Sequence, residues 1–411
     1  MPLVLFEDHH WRNLAPLTLT RATFDVKAGA RTFFEECAYA NNPPDSVMVR
    51  KHLEKVTAER HDCKVNPGSF DSDAIFVNGL LHPATLDFSR LSQVSHTFAI
   101  TSGGRLLAGR LPKKGAEHLQ KCAFEGKPVN TKSLAVDKTT NVESSEGLLA
   151  EPWDLIRVLE NALAMQTVAE QGSEVPGARI IGANLVVAEG ADVEEGTVLD
   201  ARQGSIYIGA GASVAPCRIT GPAYIGMQAQ VKQFSKIEKS YVGRDCRVAG
   251  EIEHSIISDY SNKAHDGFLG HSYVGEWANL GAMTTTSDLK MTYGNIKMGR
   301  DTGLNKVGSF FSDMSKTSIG TLVYSGRRIG VSSHLHGLVA RDVPSFTIYG
   351  SGIGSKNAEL ELASVIETQR KVMPRRGQSM SKAYEQMMKD VFLATGQERK
   401  KAGVRKGKFS I

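Results

Sequence analysis

Ile225-Gly226-Met227-Gln228-Ala229-Gln230-Val231-Lys232-Gln233-Phe234-Ser235-Lys236-Ile237 returns to an aliphatic residue at every sixth position. The same interval links Ile208 to Val214, Val242 to Val248, and Phe268 to Val274 and then Leu280. Gly follows many of these residues, at Gly209, Gly226, Gly243, Gly275 and Gly281. A period of six fits neither the helical repeat of about 3.6 residues nor a simple alternating strand. It fits a prism-shaped parallel β-helix, each side one short strand with an apolar residue pointing inward. On this reading the Gly residues serve corners that need φ > 0 or a tight bend. An ordinary all-β domain with Gly-rich turns is the competing reading. The register persists through successive sixes from Ile206 to Thr286, which favours the β-helix.

Working outward, the first third of the chain has a different grain. Leu3-Val4-Leu5-Phe6 and Ala74-Ile75-Phe76-Val77 read as buried strands, and Ala30 to Ala40 as a helix. Phe98-Ala99-Ile100 and Leu106-Leu107-Ala108 are further strands, so an α/β layer fold is expected over residues 1–150. Ligands of such sheets bind beyond the carboxyl ends of the strands. The long loop from Glu7 to Gly29 leaves the first strand at that edge. A connector helix over 151–171, with Trp153, Ile156, Leu159 or Leu163 and Val168 at helical spacing, and a turn-rich linker complete residues 151–178. The β-helix is expected over 179–350, interrupted by a basic excursion from Leu289 to Lys316. Residues 351–411 add helices over 358–373 and 380–393 and a basic tail.

With 411 residues, 41% hydrophobic and 23% charged, the composition is that of a soluble globular protein with two or three domains. Much of the formal charge of +5 sits in the tail, which reads as a solvated terminus; no aromatic-interleaved basic motif argues for nucleic acid. Five Cys without a CxxC argue for reduced thiols, and no apolar run is long enough to cross a membrane. The opening residues do not read as a signal peptide. A cytoplasmic location is expected.

Two resemblances suggest chemistry. Leu14-Ala15-Pro16-Leu17-Thr18-Leu19-Thr20-Arg21, Asp25-Val26-Lys27-Ala28-Gly29 and Thr32-Phe33-Phe34-Glu35 resemble the opening of a divergent family of sugar nucleotidyltransferases. Val77-Asn78-Gly79 and Pro152-Trp153-Asp154-Leu155 are similar to later landmarks of that family. It is related to the bifunctional N-acetylglucosamine-1-phosphate uridylyltransferase/glucosamine-1-phosphate acetyltransferase. The resemblance implies an NTP and a sugar 1-phosphate as substrates, magnesium, release of pyrophosphate, and binding residues at Arg21, Lys27 and Asn78. Cations around a polyphosphate suit such a reaction. The sequence departs from the pattern in two places: Glu7-Asp8-His9-His10-Trp11-Arg12 replaces the Gly-rich phosphate loop, and Asn78 stands where a metal-binding Asp is expected. Asp8, Asp71 or Asp73 is the candidate replacement.

The second resemblance runs from Lys263-Ala264-His265-Asp266 through Asn279-Leu280-Gly281-Ala282 to Ser287-Asp288-Leu289-Lys290. It is similar to the acetyltransferase half of the same bifunctional enzymes, left-handed β-helices that form trimers and hold acyl-CoA between adjacent prisms. It implies His265 as general base, Asn279 and Asp288 as sugar contacts, and Ala282 as the backbone N–H facing a thioester carbonyl. Lys290 lies on the basic loop that would meet phosphates. The resemblance implies acetyl-CoA as co-substrate, an amino sugar as acceptor and a homotrimer, in UDP-N-acetylglucosamine-type metabolism. Attack of an amine on a thioester needs only a near-neutral base and an oxyanion donor. Phe268, Met283 and Glu253 depart from the pattern. Two other readings stay open: His254, His265 and His271 as metal ligands, and a non-catalytic scaffold or sugar-nucleotide sensor.

Overall fold

A computed structural model describes residues 2–81, 91, 93–143, 147–167 and 175–409. The chain divides into two compact units, Met1–Pro152 with Ser381–Asp390, and Trp153–Met380 with Val391–Ile411.

The first unit is built on one sheet. Its strands are β1 (Leu3–Phe6), β2 (Ser46–Met48), β3 (Lys64–Val65), β4 (Ile75–Asn78), β5 (Phe98–Ser102), β6 (Arg105–Arg110) and β7 (Lys138–Asn141). Their order is β3-β2-β1-β4-β6-β5-β7. The first four run parallel, and β6 runs antiparallel to both neighbours. The chain steps outward from β1 to β3, then returns to pair β4 on the other side of β1. That reversal opens a crevice beyond the carboxyl ends of β1 and β4, where Phe6 and Asn78 stand in register. Phe6, Phe76 and Leu119 lie in the core on one side of this sheet. Thr32 and Glu35 form a capping box that starts the helix Phe33–Tyr39 at the end of the long loop.

The second unit carries the expected left-handed parallel β-helix. Ladders such as Val214↔Val231↔Val248 and Ile208↔Ile225↔Val242↔Ile257↔Val274↔Phe311↔Ile329 stack apolar residues up its interior. Four serines tie one edge: Ser255, Ser272 and Ser309 each donate a backbone N–H to the hydroxyl of the serine one coil earlier, at 3.1, 3.1 and 2.9 Å. The last of these bonds spans the basic excursion. The excursion is shorter than expected, because Phe310–Phe311 already rejoins the ladder before Lys316; its two feet, Leu289 and Lys306, meet in a β-bridge.

Two expectations about the repeat need correction. Phe268 is not an interior residue; Leu269 takes that place, fully buried in the ladder Ile237↔Ile252↔Leu269. The cause is a short side: the inward residues Leu269 and Val274 are five apart (274 − 269 = 5), as are Ile252 and Ile257 one coil earlier (257 − 252 = 5), so counting back six from Val274 lands on Phe268. Nor do the repeat glycines make the left-handed corners. That conformation falls two residues later, on Gln228, Asp245, Trp277 and Met283, after Gly226, Gly243, Gly275 and Gly281. Gly226 and Gly243 are required because neighbouring coils come too close for a side chain. A Cβ at Gly226 would lie 2.6 Å from Arg244 N, and one at Gly243 would lie 2.7 Å from Asp259 N.

The connector helix is observed over Pro152–Gln166; Val168 and the residues to 171 lie outside the described residues. After the last coils come helices Leu362–Val372, Lys382–Ala394 and Gly396–Lys401; Ala358–Glu359, expected to open the first, is a short strand.

Candidate functional site

At the crevice of the first unit, acids and guanidiniums meet in pairs. Glu7 is fully buried and receives Arg50 through Nε at 3.2 Å, Nη2 at 3.2 Å and the backbone N–H at 3.2 Å. Burial pushes the Glu7 carboxyl up despite Arg50, and the same burial pushes Arg50 down. Arg50 also donates to the carbonyls of Thr18 and Arg21, at 2.5 and 3.1 Å, and lies over the Trp11 ring at 3.9 Å. One guanidinium thus holds the long loop in shape.

Asp8 sits beside it, with Asn78 donating at 2.8 Å and Arg105 Nη2 at 3.0 Å. Burial alone would raise the Asp8 carboxyl, but His10 and Arg105 hold it far below the usual range. Of the three candidate replacements, Asp8 therefore stands beside Asn78. Asp71 and Asp73 do not, because they precede β4 at the opposite edge of the sheet.

These groups do not suit magnesium, which asks for several oxygen ligands in an octahedron. Both carboxylates are already bonded to guanidiniums, and the imidazoles of His9 and His10 complete the only metal-sized cluster described in this unit. Arg21 is buried in the loop, and Lys27 is taken up by Glu35 at 2.6 Å.

In the second unit His265 lies exposed at a corner of the prism, between Asn262–Lys263 and Phe268–Gly270. Its carbonyl accepts from Lys263 Nζ at 2.8 Å. Lys263 occupies an interior repeat position, so the corner is pinned from inside. Sequence reasoning missed this residue, although its register with Val248 was a usable signal.

Ala282 stands on the next coil directly beside His265. Leu280 N donates to Asn262 O at 2.8 Å and Met283 N to Asp266 O at 3.1 Å, which fixes that alignment at a rung spacing of about 4.8 Å. The Ala282 carbonyl accepts from Gly320 N, while its own N–H has no acceptor among the described residues. Asn279 is exposed on the flat leading to this corner, bridged to Asn262 and Lys316.

Asp288 lies on the flat leading away. It is buried and holds His271 Nδ1 at 2.8 Å. Burial raises its carboxyl, but His271 and Lys306 outweigh that and lower it. A Cβ placed on Gly270 would strike the Phe268 ring at 2.3 Å and Asp288 Oδ2 at 2.7 Å, so ring and carboxylate share one spot. His271 stacks on His254 at 4.9 Å, and His254 Nε2 meets Glu160 at 3.0 Å. Of the three histidines weighed as metal ligands, His254 and His271 cluster with Glu253, and His265 is not in the group. Lys290 turns back on its own loop, its amine donating to the Asn295 carbonyl.

Comparison with known proteins adds the following. Residues 3–169 match the sugar nucleotidyl transferase family. The chain is 23% identical over 249 residues to the bifunctional protein GlmU of Sorangium cellulosum, covering 58% of this chain and 49% of that one. It is 26% identical over 221 residues to a bifunctional sugar-1-phosphate nucleotidylyltransferase/acetyltransferase of Sulfurisphaera tokodaii, covering 51% of each. The chain thus spans about half the length of these two relatives. Among solved structures, the UDP-N-acetylglucosamine acyltransferase of Francisella novicida aligns at 14% identity with a TM-score of 0.31, over 56% of this chain and 87% of that one.

Proposed function

We propose that this protein is a transferase whose second unit moves an acyl group from a thioester to an amino sugar. The observation that carries the reading is the pairing at one corner of an exposed imidazole, His265, with an unengaged backbone N–H on the adjoining coil, Ala282. The acceptor amine attacks the thioester carbonyl carbon while His265 takes its proton. The carbonyl oxygen gains negative charge and is met by the Ala282 N–H. The C–S bond then breaks, and the imidazolium returns the proton to the departing thiolate. Acetyl-CoA is the proposed donor. Asn279 and Asp288, on the two flats flanking the corner, are the proposed sugar contacts.

The protein is proposed to act as a homotrimer in the cytoplasm. Ile319, Leu322 and Leu338 are 79, 49 and 40% exposed, and the last two stand in register on one flat of the prism. Such an apolar strip suits burial against a second copy. No helix of the described residues is long and apolar enough to cross a membrane.

For the first unit we propose binding of a sugar phosphate or nucleotide at the carboxyl edge of β1 and β4, in keeping with its family match. Nucleotidyl transfer with magnesium is the full form of that reading. The guanidinium-bonded carboxylates of Glu7 and Asp8 favour the reduced form, in which this unit senses the ligand without turning it over.

Two assays test the whole. Thiol release from acetyl-CoA is measured over a panel of amino sugars and their phosphates, and is expected to disappear in His265→Ala. Pyrophosphate release is measured over NTPs and sugar phosphates. No thiol release in the wild-type protein on any acceptor would overturn the transfer reading; no pyrophosphate, with a ligand-induced rise in Tm, would leave the first unit a sensor.

A further inference from the structure

We infer that the second unit holds a binding site for a phosphoester or diphosphate group, formed where the segment after helix Leu362–Val372 closes over one flat of the prism. The cavity has a volume of about 260 Å³ and is lined by Arg247, Lys316, Arg375 and Arg376 together with Asn262 and Asn279. Tyr260 and Trp277, stacked at 4.3 Å, form its aromatic wall. It shares Asn279 with the acyl-transfer corner but goes beyond that reading, because binding is asserted whether or not any group is transferred.

Charge carries the argument. Four cations converge on the cavity, and no carboxylate is among its lining residues. Asp245, Asp259 and Glu276 lie near enough to influence Arg376 or Tyr260, but none reaches the cavity wall. Among the described residues Arg247 and Arg375 have no ion pair. Arg376 spends its donors on neutral oxygens, the Asp245 carbonyl at 3.1 Å and Asn262 Oδ1 at 2.9 Å. Lys316 Nζ has only the Met314 carbonyl, at 3.1 Å. Like charges held together without acids are costly, and a multiply charged anion removes that cost. Arginine forks and side-chain amides suit phosphate oxygens, and the volume accommodates a diphosphate with part of its substituent. Arg375 and Arg376 come from outside the repeat, so the prism alone does not make this site.

The probe is inorganic pyrophosphate, titrated into the full-length protein with Trp fluorescence and calorimetry as readouts. Saturable binding is expected, with a rise in Tm that follows ligand concentration. The double variant Arg247→Gln/Arg375→Gln is expected to bind at least tenfold more weakly while its ligand-free Tm does not fall, since it relieves repulsion. Competition against pyrophosphate by coenzyme A in one arm and by a hexosamine phosphate in the other identifies which carries the anion. His265→Ala is expected to bind pyrophosphate unchanged, so loss of acyl transfer and loss of this site are separable. Absence of saturable binding, or equal affinity in the double variant, overturns the proposal.

Discussion

Lys263 stands opposite Val248 in the parallel ladder, so an amine occupies a place that the repeat fills elsewhere with a branched hydrocarbon. Its Nζ donates to the carbonyls of Ala249 and His265, and burial lowers its pKa to about 8. A lysine depressed in the fold binds fewer protons there than in the unfolded chain between about pH 8 and 10.5. Its penalty is therefore full below pH 8 and fades as pH rises toward 10.5. Lys263→Met is expected to raise stability by about 1–2 kcal/mol at pH 7, less near pH 10. Denaturant unfolding at both pH values checks this, and an equal gain at both would refute the account. Thiol release by the same variant should fall, because the corner bearing His265 loses its internal tether.

Breaking the Glu7–Arg50 pair from one side leaves a buried carboxylate. Arg50→Met is expected to cost about 3–5 kcal/mol at neutral pH. Glu7 then becomes a carboxyl whose folded pKa is raised further. Stability in that variant is fullest below about pH 4.5 and falls as pH climbs through the raised value. Urea titrations at pH 5 and pH 7.5 should show the variant closer to wild type at the lower pH. Arg50→Lys is expected to be destabilising too, since an ammonium cannot reproduce the fork.

Gly308 resumes the coil after the basic excursion. A Cβ there would lie 2.0 Å from the Gly270 carbonyl oxygen and 2.1 Å from Ser272 Oγ. The Gly270 backbone cannot yield and the Ser272 hydroxyl is tied to Gly270 O and Ser309 N, so Gly308→Ala is expected to cost more than about 3 kcal/mol. Its thermal midpoint is the measurement. Gly270→Ala meets the tip of a movable ring instead. It should fold nearly as well while altering acceptor KM, through Phe268 and Asp288.

Placing charge on the apolar flat tests the assembly. Leu322→Glu with Leu338→Glu is expected to lower the oligomeric state seen by light scattering and to abolish thiol release without lowering monomer helicity or strand content. An unchanged mass would place the interface elsewhere.

The prism was legible because its period is short and local; His265 and Ala282 were named by resemblance, and the structure sets them on adjoining coils. The inward position of Leu269 was not, since a five-residue side shifts the register and Phe268, not Leu269, satisfies the six-residue rule. The first strand and its long loop were readable from Leu3 to Gly29. The partners Arg50 and Arg105 were not, because nothing in a charge's identity says which distant acid it will meet. Arg375 and Arg376 show the same limit: their place in one cavity with Asn262 depends on how the end of the chain folds back. The corners were misassigned because Gly serves two needs, left-handed torsion and close approach, and here the second decides.

The bridge between Leu289 and Lys306, with the serine ladder running past it, makes the excursion a side branch that folds back on the prism: Ile296 and Met298 are buried, and Arg327 Nη2 donates to the Lys297 carbonyl at 3.3 Å. A peptide spliced between the two feet would have to replace those contacts as well as match the separation of its ends. On those terms the prism offers a grafting point close to Asp288.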